Sequence, residues 1–283
     1  MNRTQQITSN WLHQSCLTGE ALLLEALLRR GFLAYCDDQG VCLGTGSHAE
    51  DLDVLRLIDG LSIEPVTRHE EQMARIKMQQ SGVVVMDVAI RIVGLPENRG
   101  FIGTADMPYS RRGNTWGTYR NTAWGNKVAV CPTGLINERA LGYLALDLGV
   151  ALLVKTLPLA RVSTNAYSCD GHGRSRAKIQ FGFPWDAIWG KAVSDALGID
   201  MPNSTWDWNS ALHIASLGSY GDAEVLGMLN DIQVFSRRLL QTMNIDRIGK
   251  ARTKTLAILG ATPPTAHQFA QEARLQLGKE FFR

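Results

Sequence analysis

The segment "YSCDGHGRSR", residues 167–176, brings together side chains that commonly perform chemistry. Cys169, Asp170 and His172 supply a thiol, a carboxylate and an imidazole, and the histidine lies between Gly171 and Gly173. Glycine adopts backbone conformations that other residues avoid, and it lets a ligand approach the backbone closely. We therefore predict that this loop is a functional site.

Three kinds of chemistry fit these residues. In a locally extended loop, Asp170 and His172 lie on the same side, where the carboxylate can fix the histidine tautomer for acid–base work. Alternatively, Asp170 and His172 share a divalent metal. Cys169 as a nucleophile is the third option, and it needs a base within hydrogen-bond reach. More distant candidates for such a partner are His48, His69 and His213.

Cations follow the loop at alternating positions. Arg174, Arg176 and Lys178 project from one face if this segment is a strand, and such a row suits phosphate oxygens. The pattern predicts phosphate-ester chemistry or nucleotide binding. An alternative stays open, in which Gly-His-Gly is an ordinary hairpin turn and the cations protect an edge strand.

Two further clusters carry positive charge. The segment "YSRRGNTWGTYR", residues 109–120, places Arg111, Arg112 and Arg120 among aromatic residues, as in sites that stack bases and contact phosphates. The same aromatics also suit cross-strand packing in an antiparallel sheet. The second cluster, residues 237–254, is the most basic part of the chain and also fits a solvated helix end. Asp87 and Asp106 are candidate additional carboxylates for a metal at Asp170 and His172.

These clusters support two functional hypotheses, beside a third in which Cys169 serves an enzyme that acts on an unrelated small molecule. The first is a nucleotide- or nucleic-acid-binding protein that hydrolyses or transfers a phosphate ester at the CDGHG loop. The alternative is a non-catalytic RNA- or DNA-binding subunit or adaptor of a nucleoprotein assembly, which leaves protein partners open. The patterns GxxxxGK[ST], HExxH and GxSxG are absent from the sequence, so none of these established motifs supports a function.

Composition sets limits on the class of protein. The chain has 283 residues, 45% of them hydrophobic, and a formal net charge of +2, which is normal for a globular protein. Its longest apolar run, 140–154, is shorter than the roughly 20 residues of a bilayer-spanning helix. Five cysteines without a CxxC pair and an N-terminus without a secretory signal predict reduced thiols and a cytoplasmic protein.

The elements that position the loop can be predicted from periodicity and capping. Helices are predicted in five segments, and strands in six others, with a further helix over 135–157 that is long and buried. The helical segments are 18–31, 47–61, 68–82, 222–243 and 265–278, and the strand segments are 83–94, 100–106, 115–125, 126–132, 160–168 and 177–183. A hairpin is predicted around Asp37–Gly40, with Cys36 opposite Val41. Residues 184–198 add a helix, and 199–210 a long loop.

The predicted fold is α/β or α+β. A central mixed or antiparallel sheet, about 82–183, with the long buried helix, is flanked by helical N- and C-terminal portions. We predict a helical region with a small β-hairpin over 1–81, a sheet-containing core over 82–200 and a helical region over 201–283. The three regions can also form one domain.

Overall fold

The structure is a computed structural model. It describes residues 1–43, 49–68, 71–78, 84–95, 147–162, 164–173, 175–181, 184–209, 211–259 and 265–282. The chain folds as two units, Met1–Leu152 and Leu153–Arg283. The division into three regions stays a prediction.

The first unit combines helices with an antiparallel sheet. Its described helices are α1 (Arg3–Gln14), α2 (Gly19–Arg30), α3 (Ala49–Arg56) and α4 (Val85–Val93). Its described strands are β1 (Ala34–Asp37), β2 (Gly40–Leu43), β3 (Leu61–Arg68) and β4 (Glu71–Met78), in the order β1-β2-β4-β3. The predicted hairpin is confirmed, since Cys36 pairs with Val41 and Cys42 with Tyr35.

Local sequence signals explain the ends of two helices in this unit. Asn2 and Gln5 form a reciprocal capping box at the start of α1. Gly31 ends α2 in the left-handed conformation, with φ of 100°, as predicted from its position. The Gln5 side chain also donates to the carbonyl oxygens of Val93 and Leu95, at 3.2 and 3.0 Å, which links α1 to the end of α4.

Two predicted elements in this unit are wrong. The helix predicted over 68–82 is instead strand β4, where Ala74 and Ile76 are buried while Lys77 is exposed. The strand predicted over 83–94 is instead helix α4, which buries Val88 and Ile92, four residues apart. In both segments the apolar residues fit either period, and packing against neighbouring elements decides between them.

The second unit is built around another antiparallel sheet. Its strands are β5 (Thr164–Cys169), β6 (Ala177–Phe181), β7 (Ser204–Trp208) and β8 (Ala211–Ser216), in the order β5-β6-β8-β7. Its helices are α6 (Pro184–Ala196), α7 (Asp222–Leu240), α8 (Thr242–Leu259) and α9 (Ala266–Phe281). Helix α5 (Leu148–Thr156) precedes them, and a 3₁₀ turn over Leu157–Ala160 follows it.

One face of this second sheet is apolar and packs on helices. Ala177, Ile179 and Phe181 alternate along β6 and are buried. Helices α6 and α7 contact the sheet, and Trp206 of β7 packs against Phe235 of α7 with ring centroids 5.0 Å apart. Because side chains alternate along a strand, the intervening residues lie on the opposite face.

The fold is mixed α and β, with helical N- and C-terminal parts, as predicted. The strands form two small antiparallel sheets, and residues 84–95, placed in the predicted sheet, are helical at Val85–Val93. The loop predicted over 199–210 contains strand β7. Of the predicted long helix, Leu148–Thr156 is described and buried. Residues 135–146 of that helix lie outside the described residues, as do the three strands predicted over 100–132. No helix in the described ranges has the length and hydropathy needed to cross a membrane.

Candidate functional site

The CDGHG segment joins β5 to β6 in a tight turn. Gly171–Gly173 forms a turn of 3₁₀ helix, and both glycines have positive φ, 74° and 68°. A Cβ atom on Gly171 would lie 3.0 Å from the carbonyl oxygen of Arg176. Glycine is therefore required at this position for backbone conformation and for space.

The extended loop that would place Asp170 and His172 on one side is not the conformation observed. Asp170 is buried at the start of the 3₁₀ turn, and the side chain of His172 lies outside the described residues. The acid–base and metal-binding roles of Asp170 and His172 therefore stay predictions.

Cys169 is the last residue of β5 and is partly exposed. Its Sγ accepts a hydrogen bond from the backbone N–H of Gly171 at 3.3 Å and lies within 4.8 Å of a carboxylate oxygen of Asp170. Thiolate and carboxylate are both metal ligands. Cys169 and Asp170 can therefore contribute two ligands to a metal site.

The predicted row of cations is present in part. Arg176 and Lys178 are exposed, whereas Ala177 and Ile179 beside them are buried, so both cations lie on the face opposite the helices. Arg174 lies outside the described residues.

Strand register extends this row across the sheet. Lys178 pairs with Cys169 on one side and with His213 on the other, and His213 pairs with Asp207. Directly paired residues share a face, and their Cβ atoms are roughly 4.5–5.5 Å apart. We call this surface, formed by Cys169, Arg176, Lys178, Asp207 and His213, the polar face.

The polar face favours the neutral form of His213. Burial, the largest cause, and the Lys178 ammonium lower the pKa of His213 below its ordinary value of 6.5. The Asp207 carboxylate acts in the opposite direction, and the Arg176 guanidinium adds to the lowering. A neutral imidazole at neutral pH can accept a proton.

Other residues proposed from sequence are not part of this surface as described. Arg111, Arg112, Arg120 and Asp106 lie outside the described residues, as do His48 and His69. Asp87 is an exposed residue of α4. In the basic segment, Arg252 bonds Asp186 and Lys254 bonds Glu280.

From sequence, His213 is predicted only as a distant partner of Cys169, and Asp207 is not among the predicted site residues. A usable signal was present, because Trp206, Asp207 and Trp208 alternate apolar and polar residues in "STWDW", and a short connection separates this segment from the mostly apolar "ALHIAS". Pairing those two strands would have put His213 opposite Asp207. The pairing of β8 with β6 joins segments distant in sequence, and local pattern does not specify it.

Comparisons with known proteins gave no match among family models, curated proteins or solved structures.

Proposed function

We propose that the polar face binds the phosphate groups of a nucleotide or nucleic acid. The observation that carries this proposal is that Arg176 and Lys178 are both exposed on one face, with His213 in register beside Lys178. Ammonium and guanidinium groups donate strong hydrogen bonds to phosphate oxygens. Backbone pairing fixes the spacing of Lys178 and His213, so a ligand oxygen can contact both.

The same geometry supports phosphate-ester hydrolysis or transfer, with His213 as general base. Neutral His213 accepts the proton of a water or substrate hydroxyl while that oxygen attacks phosphorus and the ester P–O bond breaks. Solvent protonates the departing oxygen. Asp207, paired with His213, stabilises the imidazolium that forms. His213 thereby takes the acid–base role that the sequence predicts for His172.

The alternative, a non-catalytic RNA- or DNA-binding subunit of a nucleoprotein assembly, stays a prediction. The basic segment 237–254, on which this alternative depends, makes contacts within the second unit. The Arg252 side chain lies over the rings of Trp189 and Phe269, 5.0 Å from each centroid. Location in the cytoplasm is likewise a proposal, which rests on the cysteine usage of the chain.

The proposal predicts a specific loss of phosphate-ligand binding in the double variant Arg176→Ala with Lys178→Ala. Thermal unfolding would be followed with nucleotides, short RNA and short DNA, with and without magnesium, and the affinity of any stabilising ligand then measured. Each charged hydrogen bond is worth about 1.5 kcal/mol or more, so losing both should weaken binding about 100-fold.

The matched control removes one lysine and one arginine elsewhere, Lys77→Ala with Arg274→Ala, both at exposed positions. The proposal is supported if this control binds the ligand with wild-type affinity while the variant with Arg176→Ala and Lys178→Ala loses affinity. Equal weakening in both variants, or no loss in either, overturns it. His213→Ala tests the chemistry separately, with turnover falling about 100-fold or more while binding persists.

A further inference from the structure

A concave site lies on the face of the second sheet opposite the polar face. A cavity of about 350 Å³ opens to solvent between the C-terminal part of α6 and strand β7. This volume falls within the range of about 300–1,000 Å³ that small-molecule sites occupy. Trp206 and Trp208 line the cavity, and they alternate along β7 with Asp207 of the polar face. The cavity and the polar face are therefore on opposite faces of the sheet.

The two indoles form a fixed aromatic wall. Trp206 donates its Nε1–H to Ser204 Oγ at 2.9 Å, and its ring packs against Phe235. Trp208 stacks on Phe181, with centroids 5.9 Å apart and an interplanar angle of 10°. Both tryptophans are nevertheless partly exposed. Contacts on one side hold the rings, while the cavity leaves another part of their surface accessible to a ligand.

A glycine in α6 permits this arrangement. A Cβ atom on Gly190 would lie 2.3 Å from Cζ3 of Trp208, so the indole rests directly on the helix backbone. Glycine weakens a helix interior relative to alanine. Its presence here gives Trp208 the space to form the wall of the cavity.

The rim of the cavity carries a donor beside an acceptor. Lys191 Nζ lies 3.1 Å from each carboxylate oxygen of Asp195, and both side chains are about half exposed, at 50% and 48%. An exposed ion pair of this kind contributes little to stability, so its groups are available to a ligand at low cost. Lys191 can donate to a carbonyl oxygen, and Asp195 can accept from N–H groups.

We propose that this cavity binds a 6-oxopurine base of the guanine type. A planar heteroaromatic ring stacks on the indole wall, as bases stack on aromatic side chains. The guanine edge presents a carbonyl oxygen next to N–H groups, which matches Lys191 beside Asp195, whereas adenine presents an amino group and no carbonyl. The inference is independent of the proposed phosphate binding, because the two sites lie on opposite faces of the sheet.

The test uses guanosine, which has no phosphate, with adenosine and uridine as comparators, in calorimetric titrations of the 283-residue chain. The wild type should bind guanosine more tightly than either comparator. In the double variant Lys191→Met with Asp195→Asn, guanosine affinity should fall about tenfold or more and approach that of adenosine. Trp206→Leu should weaken guanosine and adenosine alike, since it removes the stacking surface that they share.

The matched control is Asp246→Asn with Lys250→Met, an exposed acid and base four residues apart on α8. This control, and the variant with Arg176→Ala and Lys178→Ala, should bind guanosine as the wild type does. Absence of guanosine binding by the wild type overturns the proposal, as does guanosine binding that the Lys191 and Asp195 substitutions leave unchanged. Because guanosine lacks phosphate, either result is separate from the outcome at the polar face.

Discussion

At the residue scale, Gly31 shows how one position can meet two independent requirements. It ends α2 with φ of 100°, and a Cβ atom there would lie 2.4 Å from the Cβ of Ala151. The first requirement follows from a local pattern, an apolar run that ends in two arginines and a glycine. The second depends on a residue far along the chain, and the sequence around Gly31 gives no sign of it.

We expect Gly31→Ala to lower the free energy of unfolding by about 2–4 kcal/mol. A positive φ costs alanine about 1 kcal/mol, and overpacking adds about 1–3 kcal/mol. Urea denaturation of the wild type and the variant would measure the loss.

The matched control for this prediction is Gly19→Ala. Gly19 also has a positive φ, 54°, but a Cβ atom there would meet nothing within 4 Å. The control should therefore lose only the conformational part, about 1 kcal/mol. Equal losses of unfolding free energy in the two variants would show that the close approach of Ala151 does not affect stability.

At the element scale, a buried carboxylate anchors the start of β7 to α7. Asp231 accepts hydrogen bonds from the backbone N–H of Asn203 at 3.1 Å, from Asn203 Nδ2 at 2.8 Å and from Ser204 Oγ. Ser204 in turn accepts from Trp206. One aspartate thus orients the edge strand that carries the aromatic wall of the cavity.

Replacing Asp231 with alanine should destabilise the protein by about 3 kcal/mol, because it leaves the buried Ser204 hydroxyl and the part-buried donors of Asn203 without an acceptor. Asp231→Asn keeps one acceptor oxygen and should lose less. Asp246→Ala, at an exposed position of α8, should stay within about 0.5 kcal/mol of the wild type. Chemical denaturation measures all three, and a cost for Asp231→Ala as small as that of Asp246→Ala would refute the anchoring role.

Helices with strong local signals could be predicted, and ambiguous segments could not. The capping box of Thr265 and Gln268 and the glycine after α2 depend on nearby residues only, and both formed as predicted. Segments 71–78 and 85–93 were assigned to the wrong class because their apolar residues satisfy both periods. Tertiary contacts determine the secondary structure of both segments. Helix α4 packs on α1 and α2, and strand β4 pairs with β2 and β3.

Prediction of the candidate site had a similar limit. Alternation alone indicated that Arg176 and Lys178 share a face, and the burial pattern of β6 confirms it. The neighbours of Lys178 across the sheet, Cys169 and His213, follow only from the strand order. The candidate site therefore includes residues of neighbouring strands that the segment 167–176 alone does not indicate.

At the scale of the whole molecule, the second unit offers two surfaces of different chemistry. Its sheet places cations, an imidazole and a carboxylate on one face and tryptophans on the other. The apolar face packs on α6 and α7, and the same packing leaves a cavity beside β7. We propose that phosphate binds at the first surface and a base at the second, and each is testable without the other.

The measurement that most directly tests phosphate binding at the polar face is an NMR titration of the His213 ring. The spectrum of His213→Gln assigns its resonance. In the protein alone the ring should titrate below 6.5, because burial and Lys178 disfavour the imidazolium. With a saturating nucleotide the pKa should rise, because a phosphate beside the ring favours the charged form. Pyrophosphate, which has no base to enter the cavity beside β7, should raise the pKa in the same way. Tight binding of pyrophosphate that leaves the His213 resonance and pKa unchanged would contradict the account.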